Sequence, residues 1–473
     1  MTRVAIIGAG IGGLTAALLL AARGCEVTLC EAAATPGGKL HTIILDGVAI
    51  DSGPTVLTLR PVFESIFAEA GLSLADHLDL TPLDCLARHA WEDGSGLDLF
   101  PDTARNADAI GVFAGLEAAR GYAAFALKSR QIFETLEPSF LQVPQPGLGG
   151  LLRRAGPGLA RVSPFTTLWG ALAGYFKDAR LRQLFARYAT YCGSSPFSAP
   201  ATLMLIAHAE QRGVWRIEGG MQQLAEAFAT QARALGAVLH LDTPVAEILA
   251  RNGRVSGVRL AEGEIVAADY VIANADLTAL GSGLFGSAAR EAVAGMLTGA
   301  KPSLSAVTFA ATGSHSGFDL AHHNLFFSND CGAEFGALAA GRIPGDPTVY
   351  LCAPGPGRYF ALINAPPGAS PGTGEVEDSL SATLLKMRNC GLELDIAGLQ
   401  ATGPTDFARR FPASRGALYG RALTGWRDSF NRPGARTRLP GLLLAGGSVH
   451  PGPGLPMAAL SGRVAAHCVL AKI

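Results

Sequence analysis

Val4-Ala5-Ile6-Ile7-Gly8-Ala9-Gly10-Ile11-Gly12-Gly13-Leu14 opens the chain, and its order of residue types dictates a strand, a tight turn and a helix. The unbroken apolar run 4–7 suits a strand covered on both faces, as in a parallel sheet. Residues 14–22 are leucine- and alanine-rich and meet no breaker before Arg23-Gly24, which predicts a helix. Val27-Thr28-Leu29 predicts the next strand, and Glu31 closes it. A Gly-x-Gly-x-x-Gly turn in this setting is the fingerprint of a dinucleotide-binding βαβ unit. Gly8 permits the turn, Gly10 admits a pyrophosphate close to backbone, and Gly13 lets the helix pack near the strand. The helix start offers unpaired N–H groups and a positive dipole end. Gly8, Gly10, Ile11, Gly12 and Gly13 are therefore candidate cofactor residues. Glu31 lies 18 residues past Gly13, where an acid accepts hydrogen bonds from a ribose, with Ala32 beside it.

The next segments point to FAD rather than NAD. Pro36-Gly37-Gly38-Lys39 follows the acid directly, and Gly38 and Lys39 can place further donors and a point charge on a pyrophosphate. Asp51-Ser52-Gly53-Pro54-Thr55 comes next and contributes Pro54 and Thr55. The far end of the chain supplies a second such unit. Pro440-Gly441-Leu442-Leu443-Leu444-Ala445-Gly446-Gly447 reads as turn, buried strand and glycine pair, and Pro451-Gly452-Pro453-Gly454-Leu455-Pro456 as a stiff loop. Residues 457–470 read as a helix with small residues for close packing. Gly446, Gly447, Pro456 and Met457 join the candidate set.

Composition bounds the remaining possibilities. At 473 residues the chain has room for roughly two to four domains and a core able to enclose a cofactor. A net charge of −1 excludes a nucleic-acid surface, which needs cations in number. The short clusters Arg409-Arg410 and Arg432, Arg436, Arg438 read as solvated surface or as contacts to anionic headgroups. Eight cysteines show neither CxxC nor metal spacing; they read as small buried hydrophobes in a reducing compartment, and no metal is expected. Charged residues are 16%, below the ~25% usual for soluble proteins. That suits either an alanine-rich packed enzyme or one that touches a greasy substrate. No apolar run reaches the ~18–20 residues of a membrane span. The first strand begins at Thr2 without a charged leader, so a cytoplasmic, at most peripheral, protein is expected.

Along the middle, residues 111–214 are predicted helical and irregular. They contain a Pro/Gly linker over 142–150, Arg153, Arg154 and Arg161 among apolar residues, and an apolar aromatic stretch over 166–176. Such composition suits an amphipathic core helix or an interfacial one. Residues 239–241, 255–260 and Tyr270–Ala273 are expected to extend the parallel sheet, which ends at Asn274-Ala275-Asp276.

Taken together, the glycine turn, Glu31, Gly37-Gly38-Lys39 and Asp51-Ser52-Gly53-Pro54-Thr55 resemble the FAD-binding start shared by amine oxidases, protoporphyrinogen oxidases and carotenoid desaturases. That superfamily usually carries Arg where this chain has Lys39, so the charge is kept and the fork geometry lost. Amine oxidases also carry an acid for the ribityl chain after the last strand, where this chain has Gly447 and Ser448. Residues 445–456 resemble the bacterial phytoene desaturase family instead, as do Gly193-Ser194-Ser195-Pro196-Phe197, Gly213-Val214-Trp215, Gly219-Gly220 and Asn274-Ala275-Asp276. Within that group, Pro54-Thr55-Val56-Leu57-Thr58-Leu59, Ala87-Arg88-His89 and Ala199-Pro200-Ala201-Thr202-Leu203-Met204 are more similar to the hydroxyneurosporene (1-hydroxycarotenoid 3,4-) desaturases.

The resemblance implies an α/β fold. A Rossmann-type FAD domain is assembled from 1–80, 215–290 and 415–473. A mixed-sheet substrate domain takes 81–110 and 291–414, and 111–214 form a helical, membrane-facing substrate-access region. It implies FAD held by the residues above together with Val245, whose backbone faces the adenine, and Asn274. The helix start at Met457 would face the flavin pyrimidine, where its dipole stabilises negative charge. The implied reaction takes hydride from C4 of an acyclic 1-hydroxy or 1-methoxy carotenoid to flavin N5 and a proton from C3. The polyene carries much of the stabilisation, which leaves orientation and water exclusion to the protein. No residue stands out as proton acceptor, and His450 reads as a residue that orients its loop. The implied partners are a lipophilic carotenoid, the surface of an inner or intracytoplasmic membrane, and oxygen or a quinone as terminal acceptor. The competing readings are a phytoene desaturase or carotenoid isomerase of the same family, a flavin amine oxidase, which would want an aromatic cage, and a non-catalytic FAD scaffold.

Overall fold

Strand Arg3–Ile7 lies at the middle of a five-stranded sheet in the order Val238–His240, Glu26–Cys30, Arg3–Ile7, Tyr270–Ala273, Leu442–Leu444. Every pairing in it is parallel. The structure, a computed structural model, describes residues 1–144, 147–156, 158, 162, 165–368 and 373–472; Arg161, and Gln145 and Pro146 of the linker, lie outside the described residues. Three of the five strands come from beyond residue 237, so the sheet is closed only when distant parts of the chain return to it.

The first helix, Ile11–Ala22, is buried from Ile11 through Ala21. A helix apolar on every side needs cover on every side. The sheet supplies one face, and helices Gln222–Ala234 and Leu455–Leu470 supply the others. The first and last helices touch backbone to backbone: a Cβ on Gly462 would lie 2.0 Å from the carbonyl oxygen of Gly12. Within the first unit, a Cβ on Gly13 would lie 2.1 Å from the Gly8 oxygen, which is the close helix–strand approach expected of that glycine.

Residues 255–260 do not extend the parallel sheet as expected. Val245–Arg251 and Arg254–Leu260 form an antiparallel hairpin, and Ile265–Ala267 adds a third strand. The turn is Asn252-Gly253, with φ of +53° and +71°, the left-handed pair of a two-residue hairpin turn. That local signal overrides the apolar run that follows it.

A seven-stranded sheet forms the second layer, in the order Leu392–Thr402, Ser305–Gly317, Arg358–Ala365, Val349–Gly355, His323–Phe326, Ala87–Ala90, Gly96–Leu99. It is mixed: Ala87–Ala90 runs parallel to His323–Phe326, and the other pairs are antiparallel. Helices Leu116–Leu136 and Ala179–Ala186 belong to a third region, built on Phe125, Phe176, Phe185 and Tyr188. A buried ion pair sits there. Arg187 Nη2 donates to Glu210 Oε2 at 2.9 Å, and the hydroxyls of Tyr188 and Tyr191 donate to the same carboxylate at 2.7 and 2.8 Å. With its acceptors filled, this carboxylate is tolerated inside an aromatic core; removing one partner of such a pair costs ~3–5 kcal/mol. No helix among the described residues is long and apolar enough to cross a membrane.

The helix contact gives a first prediction. Gly462→Ala forces the first and last helices apart and costs about 1–3 kcal/mol by overpacking. The melting temperature and the flavin-to-protein ratio should fall together, measured by thermal unfolding and by visible absorbance of the purified protein.

Candidate active site

The site forms at the carboxyl ends of the parallel strands, where an open α/β sheet binds its ligands. Gly8 turns there at φ +93°. Neither the first nor the last helix has a side-chain cap or an acid in its first turn. Their leading N–H groups and positive ends are left for an anion. Asn274 stands between the two loops. Its Nδ2 donates to the Gly8 carbonyl at 3.1 Å, and a Cβ on Gly10, Gly12 or Gly446 would fall within 2.7–2.9 Å of its side-chain amide. Gly446 in turn donates its N–H to Ser461 Oγ at 2.7 Å. One amide therefore braces both glycine loops.

Glu31 is fixed by backbone. Its carboxylate accepts the Ala9 N–H at 2.6 Å and the Ala33 N–H at 2.9 Å, and Ala32 beside it is exposed. The Thr243 N–H donates to the Glu31 carbonyl at 2.7 Å, which brings the strand that begins at Val245 to the same corner. Gly37 donates to the Ala9 carbonyl at 2.8 Å, and Gly38 passes directly over Gly10. Lys39 Nζ donates to the Leu418 carbonyl and lies 5.3 Å from the centre of the Phe411 ring. Burial pulls its pKa down, and Asp276 opposes the shift. Beyond it, a Cβ on Gly53 would meet the Lys39 carbonyl at 2.0 Å, which holds Pro54 and Thr55 against the same wall.

Arg432 corrects the surface reading of its cluster. Only 3% of it is exposed. Its guanidinium donates to the carbonyls of Gly447 at 3.0 Å, Arg421 at 2.9 Å and Tyr419 at 3.3 Å. Burial, with Arg421 close by, brings its pKa down to about 10. Arg436 and Arg438 are exposed as expected. Nothing in the spacing marks Arg432 as different; the carbonyls that hold it come from loops folded back upon it.

These residues fit FAD. Two uncapped helix starts face one crevice, a fixed acid stands at its rim, and Lys39 and Arg432 bring buried positive charge to the C-terminal glycine loop. The buried hydroxyl of Ser52 has no partner of its own. Pro456 is buried, and Gly447 and Met457 are half-buried.

The structure gathers other groups that sequence spacing does not show. Thr55 Oγ1 is 2.6 Å from the Tyr350 hydroxyl, which is 2.8 Å from His323 Nδ1, so Thr55 joins the cofactor half to the seven-stranded sheet. Tyr191, Cys192, Tyr350 and Tyr419 keep accessible surface, yet burial pushes up the pKa of all four, to about 11 for Cys192 and about 12 for Tyr419. The ligand atoms of His322, His323 and Cys352 lie within 4.8 Å of one another. Tyr350 engages one nitrogen of His323, and burial holds that imidazole neutral. His450 behaves as a loop anchor: its Nε2 bonds to the Phe140 carbonyl at 2.8 Å.

Residues 11–307 match the family of flavin containing amine oxidoreductases. A hydroxyneurosporene desaturase of Rubrivivax gelatinosus is 46% identical over 100% of this chain and 94% of its own. One from Cereibacter sphaeroides is 44% identical over 100% and 98%. Among solved structures, an oxidoreductase from Methanosarcina mazei superposes with a TM-score of 0.67 at 16% identity, covering both chains fully, which speaks for the fold.

Burial of two imidazoles sets a pH dependence. His450 and His322 are held down at about 4 by desolvation, against ~6.5 in an unfolded chain. The unfolded state therefore binds more protons between those values, so stability is full above pH 6.5 and falls as pH drops toward 4. The urea midpoint should decline across that window, and His450→Gln should make the decline shallower.

Proposed function

Because the chain belongs to the family of flavin containing amine oxidoreductases and, within it, to the group of the hydroxyneurosporene desaturases, we propose that it desaturates an acyclic 1-hydroxy or 1-methoxy carotenoid at C3–C4. It is an FAD-dependent oxidoreductase. The observation that carries the substrate reading is the full-length identity to the Rubrivivax gelatinosus enzyme.

Bound FAD supplies a two-electron acceptor for the hydride released at C4. The chain's own residues bind, orient and exclude water. Gly8, Gly10, Ile11, Gly12, Gly13, Glu31, Ala32, Gly38, Lys39 and Val245 would hold the adenosine and pyrophosphate end. Pro54, Thr55, Asn274, Gly446, Gly447, Pro456 and Met457 would flank the remainder. Lys39 and Arg432 bring positive charge to the C-terminal loop, which favours an anionic group beside it. The segments 1–80, 215–290 and 415–473 act as the cofactor domain, 81–110 and 291–414 as the substrate domain, and 111–214 as the access region.

A row of rings leads inward from the surface. Phe165, 80% exposed, meets Trp426 at 5.4 Å between ring centres. Trp426 meets Phe430 at 6.2 Å, Phe430 meets Phe140 at 5.5 Å, and Phe140 meets His450 at 4.8 Å beside the C-terminal Gly/Pro loop. We take this row as one wall of the path by which a polyene reaches the site, and its outer end as the part that rests on the membrane, with Arg427 over Trp426 placed for headgroups. Electrons would pass on to oxygen or a quinone.

Two outcomes are expected. Cells that make the protein together with 1-hydroxyneurosporene should accumulate the 3,4-dehydro product, seen on pigment extraction; consumption of phytoene with the hydroxylated carotenoid left unchanged would overturn the reading. Trp426→Asp with Phe165→Asp should lower partitioning onto anionic liposomes severalfold and leave flavin content intact. Equal partitioning of the double variant would remove the membrane role assigned to this row.

A further inference from the structure

Tyr191, Tyr350 and Tyr419 are each partly accessible, and their hydroxyls are not equivalent. That of Tyr191 donates to Glu210 at 2.8 Å and accepts from Arg187 at 2.9 Å. That of Tyr350 lies between Thr55 and His323. The hydroxyl of Tyr419 has no hydrogen-bond partner among the described residues.

The Tyr419 side chain is also held rigidly. A Cβ on Gly193 would lie 2.4 Å from its ring, so the ring packs on bare backbone. Its N–H donates to Ser303 Oγ at 3.0 Å, and its carbonyl accepts from Arg432 at 3.3 Å. The preceding carbonyl, of Leu418, accepts from Lys39. The following residue, Gly420, lies against Ser448, where a Cβ would be 2.9 Å from the Ser448 Cα. Tyr419 is thereby tied to both cofactor walls, the one at Lys39 and the one at Gly447-Ser448.

We propose that the Tyr419 hydroxyl holds the C1 oxygen of the substrate and so sets both the preference for oxygenated carotenoids and the register that brings C3–C4 to the flavin. This rests on the desaturase reading above. In such a substrate C1 stands three bonds from C4, so the group that grips the oxygen has to sit beside the reacting carbons, and the loop of Tyr419 is tied to Lys39 on one side and to the Gly447-Ser448 loop on the other. A phenol donates to a hydroxyl and to a methoxy oxygen alike. A polar group waiting in an apolar site also rejects a substrate that lacks its partner, by far more than a missing methylene would.

The test uses the purified holoenzyme and Tyr419→Phe, which keeps the ring and its packing. Wild type and variant are compared on 1-hydroxyneurosporene, with neurosporene, which lacks the hydroxyl, as competing ligand. Expected are an unchanged flavin-to-protein ratio and melting temperature, a fall of about 10–100-fold in kcat/KM for the hydroxylated carotenoid, and a lower inhibition constant for neurosporene, because the unpaired hydroxyl that disfavours it is gone. The discrimination between the two carotenoids is the readout that a merely structural role would not move. A variant with undiminished kcat/KM for 1-hydroxyneurosporene overturns the inference alone. Loss of flavin from the variant also overturns it and assigns Tyr419 to the cofactor. A wild type that ignores 1-hydroxyneurosporene overturns the desaturase reading and the inference together.

Discussion

Everything in this molecule depends on the contact between Gly12 and Gly462, where two helices from opposite ends of the chain approach until backbone meets backbone. Without side chains between them, the helix starts converge on one crevice, and the Asn274 amide bridges the narrow gap between their loops. The five-stranded sheet follows the same logic. Its first strands form locally, but Tyr270–Ala273 and Leu442–Leu444 must arrive from far along the chain before the first helix is covered.

The interior around the site obeys a different constraint. It has to be dry enough for a polyene and still carry polar groups where they are needed. The protein meets this by giving most buried polar groups partners within the chain. Arg432 is held by carbonyls, Glu210 by an arginine and two tyrosines, and Tyr350 by Thr55 and His323. Satisfied groups of this kind are tolerated in low dielectric, whereas unsatisfied ones are costly. Among the described residues the hydroxyl of Tyr419 lacks the partners that those of Tyr191 and Tyr350 have.

Legibility in the sequence tracked how local the determining interaction is. Gly8, Gly13 and Glu31 act within one βαβ unit, so their spacing carries their placement, and the Gly/Pro loop at 451–456 announces the second unit in the same way. Residues 255–260 misled because an apolar run is equally good in a parallel or an antiparallel strand; the deciding signal was the Asn252-Gly253 turn beside it. Arg432 misled because its neighbours in sequence are polar and turn-like, while the carbonyls that bury it belong to Gly447, Tyr419 and Arg421. The partners of Tyr191, Tyr350 and Tyr419 come from distant parts of the chain, and no periodicity announces them.

Closure by both chain ends has a consequence for how the protein is made. Ribosomes release the glycine turn at Gly8 long before the Gly446-to-Met457 segment, so a nascent chain carries half a cofactor cradle until that segment emerges. The first helix, which has no polar face, stays uncovered over that interval and is a natural client for a holdase chaperone. The cofactor cradle is thus completed only when the Gly446-to-Met457 segment has been made and folded back onto the glycine turn.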